Sequence, residues 1–301
     1  MTIEDLDKTA NRLIQDYQQT YLYILSRLEY QIENGLSEQH SRAILREIQL
    51  ELMRLDEQAY KWSNEVLPEY YYLTFGEIDR DVAKLRGLNV IQGQQAVIHK
   101  KAIEVASKSL YTDLARNTQY MSQQAKQIIR VNGKELISRQ VISGESQRKT
   151  KRDLIKALKT DGVTSFIDAG KKNWTIENYS SMAIRTKSRL IHNEGLENRL
   201  SEYREIYPNS ENFDLIQISS HGSNCWCGLY EGTVWSISGN HPDYPSVDQL
   251  PNYPYKSFHP NCKHVWKPYI IELRGQGKTV SNDYLNRTIK DLNKEHYHKH
   301  K

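Results

Sequence analysis

The sequence predicts an α+β fold: an elongated α-helical N-terminal half, then a small mixed α/β C-terminal domain of short strands tied by a Cys/His knot. Three observations predict it. Apolar residues recur at three- and four-residue steps through most of the first 160 positions, which is the period of an amphipathic helix. From residue 161 the pattern breaks into short β-type runs punctuated by Gly, Pro and Asn. All three cysteines, Cys225, Cys227 and Cys262, lie in one stretch, 219–269, with His221, His259 and His264 within a few residues of them. These changes of character divide the chain into 1–160, 161–270 and a basic closing segment, 271–301.

Composition narrows the class. The chain has 301 residues, 38% apolar and 26% charged, with 20 Tyr against 4 Phe. That is a low apolar share for a tight globule, and many of its aromatics keep a polar end for water or a partner. Extended helices or an assembly subunit fit better. The net charge of +4 creates no overall field that demands an anionic partner. No apolar run approaches the roughly 20 residues of a membrane span, and the start, M-T-I-E-D-L-D-K, lacks the layout of a signal peptide. Three cysteines leave one unpaired if a disulfide forms. A reduced, cytoplasmic origin is expected, in which clustered Cys and His point to metal or reactivity before disulfide scaffolding.

In chain order, residues 3–34 carry Leu6, Leu13, Tyr17, Tyr21, Ile24, Leu28 and Ile32 on one helical face, closed by Asn34-Gly35. Ser37 starts a second helix, with Ser41, Leu45, Ile48, Leu52, Leu55 and Ala59 along one side and Pro68 as its interruption. A shorter amphipathic piece begins at Tyr70 and ends near Gly87. After the break at 87–93, residues 96–130 read as helix through Ile103, Leu110, Leu114, Met121 and Ile128. Residues 137–143 continue an apolar face, and 147–158 form one more helix. No catalytic constellation occurs in this half, and helices packing on helices or on a neighbouring subunit account for it.

Charge is concentrated locally. Between Arg130 and Thr160 stand nine Lys/Arg against three acids, a balance of +6. A solvated helix face explains such a run. The alternative is a phosphate-contacting surface, with Arg148, Lys149, Lys151, Arg152 and Lys156 as the candidate DNA contacts and binding that would be salt-dependent and indifferent to sequence.

The chain then changes to a strand at 164–168, a turn at 170–173, a second strand at 174–176 and a helix over 177–204. In the stretch that follows, Cys225 and Cys227 sit on a turn before a β segment. Cys262 with His264 or His259 comes about 35 residues later. Zinc takes four such ligands in close pairs, and Gly/Asn/Pro turns can aim side chains inward. Buried free cysteines and satisfied histidines are the alternative. Catalytic zinc patterns are missing: His221 is not followed by the Glu of a zinc deaminase, 260–264 has the wrong spacing for P-C-x-x-C, and H-E-x-x-H does not occur.

Taken together and in order, several pieces over 166–269 resemble phage minor capsid proteins of the minor capsid protein 2 group, relatives of the MuF-type minor head proteins. They are the strand-turn-strand with Y-S-S-M-A-I-R-T at 179–186, S-S-H at 219–221, G-T-V-W-S-I-S-G at 232–239, Y-P-S at 244–246, and H-P-N-C-K-H at 259–264 leading to Pro268-Tyr269. Y-L-N-R at 284–287 is similar to the start of that group's closing helix. On this resemblance Arg185, Gly232, Gly239, Pro260 and Asn261 are structural motif residues, and the C-terminal domain is expected to be MuF-like. The chain departs from close members, which carry Gly-Ala-Arg-Pro after the His. It approaches more distant MuF relatives, which carry C-x-x-C there and close with H-P-N-C-R-C.

The resemblance implies a structural virion protein without enzymatic turnover, inside the phage head near the portal vertex and made in the host cytoplasm. It would act in head assembly and in genome packaging or delivery. The implied partners are the portal protein, the major capsid or other head proteins and viral genomic DNA, with several copies around the portal. The resemblance favours a Cys/His knot, while a structural zinc ion held among Cys225, Cys227, Cys262, His264, His259 and His221 is the candidate cofactor read from residue types and spacing. Some relatives carry a C-terminal toxin domain, for which the roughly thirty residues after Tyr269 are too few. The closing residues 282–301 read as a short helix running into the basic, His-rich end H-Y-H-K-H-K. Two other classes stay in view: a zinc-dependent nuclease or transferase built on the Cys/His cluster, and a host nucleic-acid-binding protein.

Overall fold

The computed structural model describes residues 2–34, 37–92, 97–142, 146–161, 165–167, 173–208, 211–285, 287–288, 290–292 and 294. Gly35, Gly93, the turn at 170–172 and the closing H-Y-H-K-H-K lie outside the described residues, as does most of the helix expected over 282–301. The described structure is about 70% helical; helix fills most of the N-terminal half, and beyond residue 206 the described helices are short turns among three short strands. Residues group into two units, one of 8–63 with 109–184, the other of 1–7, 64–108 and 185–301.

The first unit contains most of α1 (Ile3–Asn34), α2 (Glu38–Lys61), much of α4 (Val97–Ile142), and α5 (Gln147–Asp161). Its helices bury the faces that periodicity marks: Tyr17, Ile24, Leu28 and Ile32; Ile48, Leu52, Leu55 and Ala59; Leu110, Leu114 and Met121; Leu154 and Leu158. Ser37 caps α2 by accepting the N–H of His40. Cross-links between helices are polar and specific. Tyr17 donates to Leu114 O (3.3 Å), and Tyr111 (2.9 Å) and Thr118 (3.2 Å) both donate to Asp56.

Pro68 does not interrupt the second helix as expected. A π-helical turn, Trp62–Val66, leads from α2 straight into α3 (Leu67–Val82), and Pro68 falls in the first turn of α3, where a missing N–H costs nothing. The helix read over 96–130 and the apolar face read over 137–143 belong to one 46-residue helix, α4. The strand-turn-strand forms as β1 (Ser165–Ile167) and β2 (Asn173–Thr175), antiparallel, with Phe166 opposite Trp174. Ile176 was expected in the second strand but opens α6 (Ile176–Ile206), because Thr175 Oγ1 accepts the N–H of Asn178 at 3.1 Å and caps that helix.

The second unit is built on α3, α6 and a three-stranded antiparallel sheet of order β4-β3-β5: β3 (Leu215–Ile218), β4 (Val234–Ser236) and β5 (Trp266–Pro268). A short helix, α7 (Ile271–Arg274), follows. Neither β3 nor β5 is evident in the sequence, being only four and three residues long. The core joins Ile78 and Val82 of α3, Leu196, Leu200 and Tyr203 of α6, Ile216 and Ile218 of β3, and Trp226, Trp235, Phe258 and Trp266.

From Ser188 to Arg199, α6 is wrapped nearly all round; although Nε and Nη1 of Arg189 meet no acceptor among the described residues, most polar residues of this segment are buried and hydrogen-bonded. Asn193 shows how. Its Nδ2 donates to Lys256 O (2.6 Å) and its Oδ1 accepts the N–H of Trp266 (2.8 Å), fixing the loop before β5 and the strand itself.

Candidate metal centre

The three-stranded sheet delivers the Cys/His stretch. β3 ends at Ile218, and the chain turns through Gly222, at φ +69°, into the 3₁₀ segment Trp226–Tyr230 that carries Cys227. Gly232 (φ +73°) then returns the chain to β4, its N–H bonded to Ile218 O. Here only a residue tolerating the left-handed region allows the turn. On the other side, His259 and Cys262 flank a turn closed by Cys262 N–H to His259 O, with Asn261 at φ +63°. Asn261 N–H is accepted by Thr186 Oγ1 at 3.1 Å, so the H-P-N-C-K-H turn is bonded to the M-A-I-R-T segment of α6. Gly239 (φ +72°) forms a similar bend after β4 and donates to Ser236 Oγ. Arg185 is exposed, one residue before that contact.

Five of the six candidate ligands converge. Cys225 and Cys227 are joined as a disulfide, with Cα atoms 5.4 Å apart. This departs from the expectation of reduced cysteines: one intervening residue brings both sulfurs to the same side of the turn, within bonding reach. His259 Nε2 lies 3.3 Å from each of those sulfurs. Cys262 remains a free, buried thiol, 3.2 Å from His264 Nδ1. Cys225, Cys227 and His259 form one close set, and Cys227, Cys262 and His264 form a second that is buried throughout. Cys227 belongs to both.

His221 is the exception. Its ring lies 4.2 Å from the His264 ring, tilted by 41°, and its Nδ1 is 3.9 Å from Glu231 Oε1, so it neighbours the carboxylate and not the sulfurs.

Glu231, which no motif in the sequence marks, joins the cluster. Its carboxylate accepts the backbone N–H groups of His221, Gly222 and Ser223 at 3.2, 3.2 and 2.9 Å. It also lies 3.1 Å from His264 Nε2. Burial would raise its pKa, but the N–H groups of Ser223, His221 and Gly222 together with His264 outweigh that and hold it at about 2. Burial pushes His264 the other way, down to about 4, despite the carboxylate. The ring is therefore neutral at pH 7. With its proton on Nε2 facing Glu231, its bare Nδ1 faces Cys262. His259 mirrors this with the nitrogens exchanged: Nδ1 is 2.8 Å from Pro260 O, which leaves Nε2 bare toward Cys225 and Cys227. Nothing in the spacing of residues 221–264 marks Glu231, because its role depends on a backbone turn.

Cys262, His264 and Glu231 also line up like a nucleophile, base and orienter. Yet Cys262 and His264 are each 2% exposed, and burial pushes the Cys262 thiol up. In this conformation both groups are closed off from solvent, and burial disfavours the thiolate.

The candidate DNA residues lie in the other unit, on α5. Arg148, Arg152 and Lys156 are exposed at i, i+4 and i+8 along one stripe, with Lys149 exposed beside them. Lys151 departs from that expectation. It is half-buried, and its Nζ donates to Glu33 O in the last turn of α1, where a cation answers unsatisfied carbonyls.

The chain is thus predominantly helical, with a small three-stranded antiparallel sheet and a Cys/His cluster beside it. The phage minor capsid protein 2 family model matches residues 95–300, more than half of the chain, and the chain belongs to that family. It is a structural phage protein, a virion component with other head proteins as partners. Comparison with curated proteins and with solved structures gives no match. No helix among the described residues is long and apolar enough to cross a membrane.

Proposed function

We propose that this protein works inside the phage head at the portal vertex, in several copies, by multivalent contact and without turnover. The observation that carries this reading is the family membership, supported by the burial of Cys262 and His264, each 2% exposed. In this reading residues 1–160 engage the portal or the capsid interior, residues 161–270 form a MuF-like minor head domain, and residues 271–301 are a basic tail.

Exposed apolar side chains on the outer faces of α1 and α2 support a contact role: Leu22 and Tyr30 on the first, Leu50, Met53 and Tyr60 on the second. Leu50, Met53 and Tyr60 repeat at spacings of three and seven, one stripe along α2. On α5, the stripe Arg148, Arg152 and Lys156 suits the phosphates of packaged DNA, read by charge and not by sequence.

The test is mass spectrometry on gently dissociated particles, asking whether the protein co-fractionates with the portal ring. Co-fractionation is the expected outcome. Presence in the infected-cell lysate but absence from particles would sink the reading and return attention to the zinc-dependent nuclease or transferase.

A further inference from the structure

We infer that the reduced protein binds one zinc ion in the Cys/His cluster, through Cys227, Cys262 and His264, with Cys225 and His259 competing for the fourth position. The Cys225–Cys227 disulfide is then the oxidised, metal-free form of the same site. This site does not depend on where in the virion the protein acts.

The donor chemistry is the first reason. Three sulfurs and two imidazole nitrogens, with no water-exposed carboxylate among them, form a soft and borderline set that selects zinc over calcium or magnesium. Spacing is the second. With metal–sulfur bonds of about 2.3 Å and metal–nitrogen bonds of about 2.0 Å, neighbouring ligands on a tetrahedron stand roughly 3.5 Å apart. His259 Nε2 is 3.3 Å from two sulfurs, and His264 Nδ1 is 3.2 Å from the third. These sets are already gathered at ligand-to-ligand distances.

Orientation is the third reason, and the most specific. A metal-binding histidine usually donates its other N–H to a carboxylate or a backbone carbonyl, which fixes the ring and its tautomer. Both arrangements occur here. His264 Nε2 faces Glu231, itself anchored by three backbone N–H groups, and His259 Nδ1 faces Pro260 O. The two histidines at either end of the H-P-N-C-K-H segment thus aim bare nitrogens into one sulfur cluster.

The disulfide follows from Cys227 belonging to both close sets. Peroxide would oxidise the Cys225 and Cys227 thiolates, forming the S–S bond and releasing the ion. In that step one H₂O₂ and two protons become two waters, and two electrons leave the sulfurs. Cys262 has no partner sulfur at one-residue spacing and stays a thiol.

The experiment uses the full chain carrying His296→Gln, His298→Gln and His300→Gln, so that the tail cannot bind metal. Zinc is measured by elemental analysis after reduction and zinc loading, and again after hydrogen peroxide. One zinc per chain is expected, released on oxidation. With cobalt in place of zinc, thiolate charge-transfer bands and the visible bands of a tetrahedral site are expected.

Cys227→Ser, Cys262→Ser and His264→Ala should each abolish binding. Cys225→Ser and His259→Ala should each retain it weakened, and the double variant should lose it. Glu231→Gln keeps all five donors and should weaken zinc about 10- to 100-fold, a readout that survives if a cysteine variant fails to fold. Reduced, folded protein that takes up no zinc, or that binds it unchanged with Cys262→Ser, would overturn the assignment. Either result leaves the portal reading untouched, since that is decided by particle fractionation.

Discussion

Arg199 of α6 and Asp79 of α3 form a forked ion pair across 120 residues of sequence. The guanidinium, 1% exposed, donates from Nη2 to both carboxylate oxygens at 2.9 and 3.0 Å. Tyr203 donates to the same carboxylate at 2.7 Å, while Arg199 also reaches Glu202 and Ile91 O. Asp79→Ala leaves a buried cation short of its main partner, and removing one member of such a pair costs about 3 kcal/mol. Urea unfolding followed by circular dichroism should show that loss. An unchanged midpoint would mean that Glu202 alone satisfies the charge.

Close helix packing makes a second prediction. A Cβ added at Gly195 would stand 2.5 Å from Tyr71 O and 3.0 Å from Thr74 Oγ1, so α3 and α6 meet at a spacing that only glycine permits. Gly195→Ala should destabilise by roughly 1–3 kcal/mol, the usual cost of overpacking, although alanine is the better helix former. A raised thermal midpoint would show that the two helices can separate freely.

His192 gives the fold a pH dependence. It is fully buried, and burial together with Arg189 pushes its pKa down to about 4, against the hydrogen bond with Asn193. The unfolded chain therefore binds a proton between roughly pH 6.5 and 4 that the folded chain refuses, and stability rises with pH across that window. The contribution is complete above the unfolded value. It is lost as pH falls, by about 3 kcal/mol in all. Denaturation midpoints from pH 7.5 to 4.5 should fall, and His192→Gln should make the decline shallower. His264 titrates in the same window, so part of the slope remains. A slope unaffected by the substitution would show that His192 is protonated in the fold.

The α5 stripe should be visible in salt dependence. If Arg148, Arg152 and Lys156 contact phosphates, changing all three to Ala should reduce the slope of log affinity against log salt by about 2–3. Lys151→Ala should act mainly on stability, since its ammonium is already held by Glu33 O. Duplex binding that is flat with salt in the unaltered protein would remove DNA from the partners.

The sequence by itself determined the helices, their buried faces and the family. Leu13, Tyr17, Ile24 and Leu28 repeat with the turn of a helix, and Ser37 stands where a cap must. Such signals are local, set by steric and hydrogen-bonding preferences within a few residues, and they survive without knowledge of the rest of the chain. Pro68 and Ile176 were misread for a related reason: a proline serves equally to end a helix or to begin one, and a threonine cap decides where a strand stops.

Only the tertiary structure decided the site. The strand β3 is too short to announce itself. Glu231 looks like any surface acid until three backbone N–H groups close on it, Lys151 like any solvated cation until it meets α1, and nothing in the C-x-C spacing shows that the sulfurs of Cys225 and Cys227 meet each other. Each of these roles is a distance between positions far apart in the chain or a direction fixed by a turn. Spacing along a sequence carries residue types but not the vectors along which their side chains point.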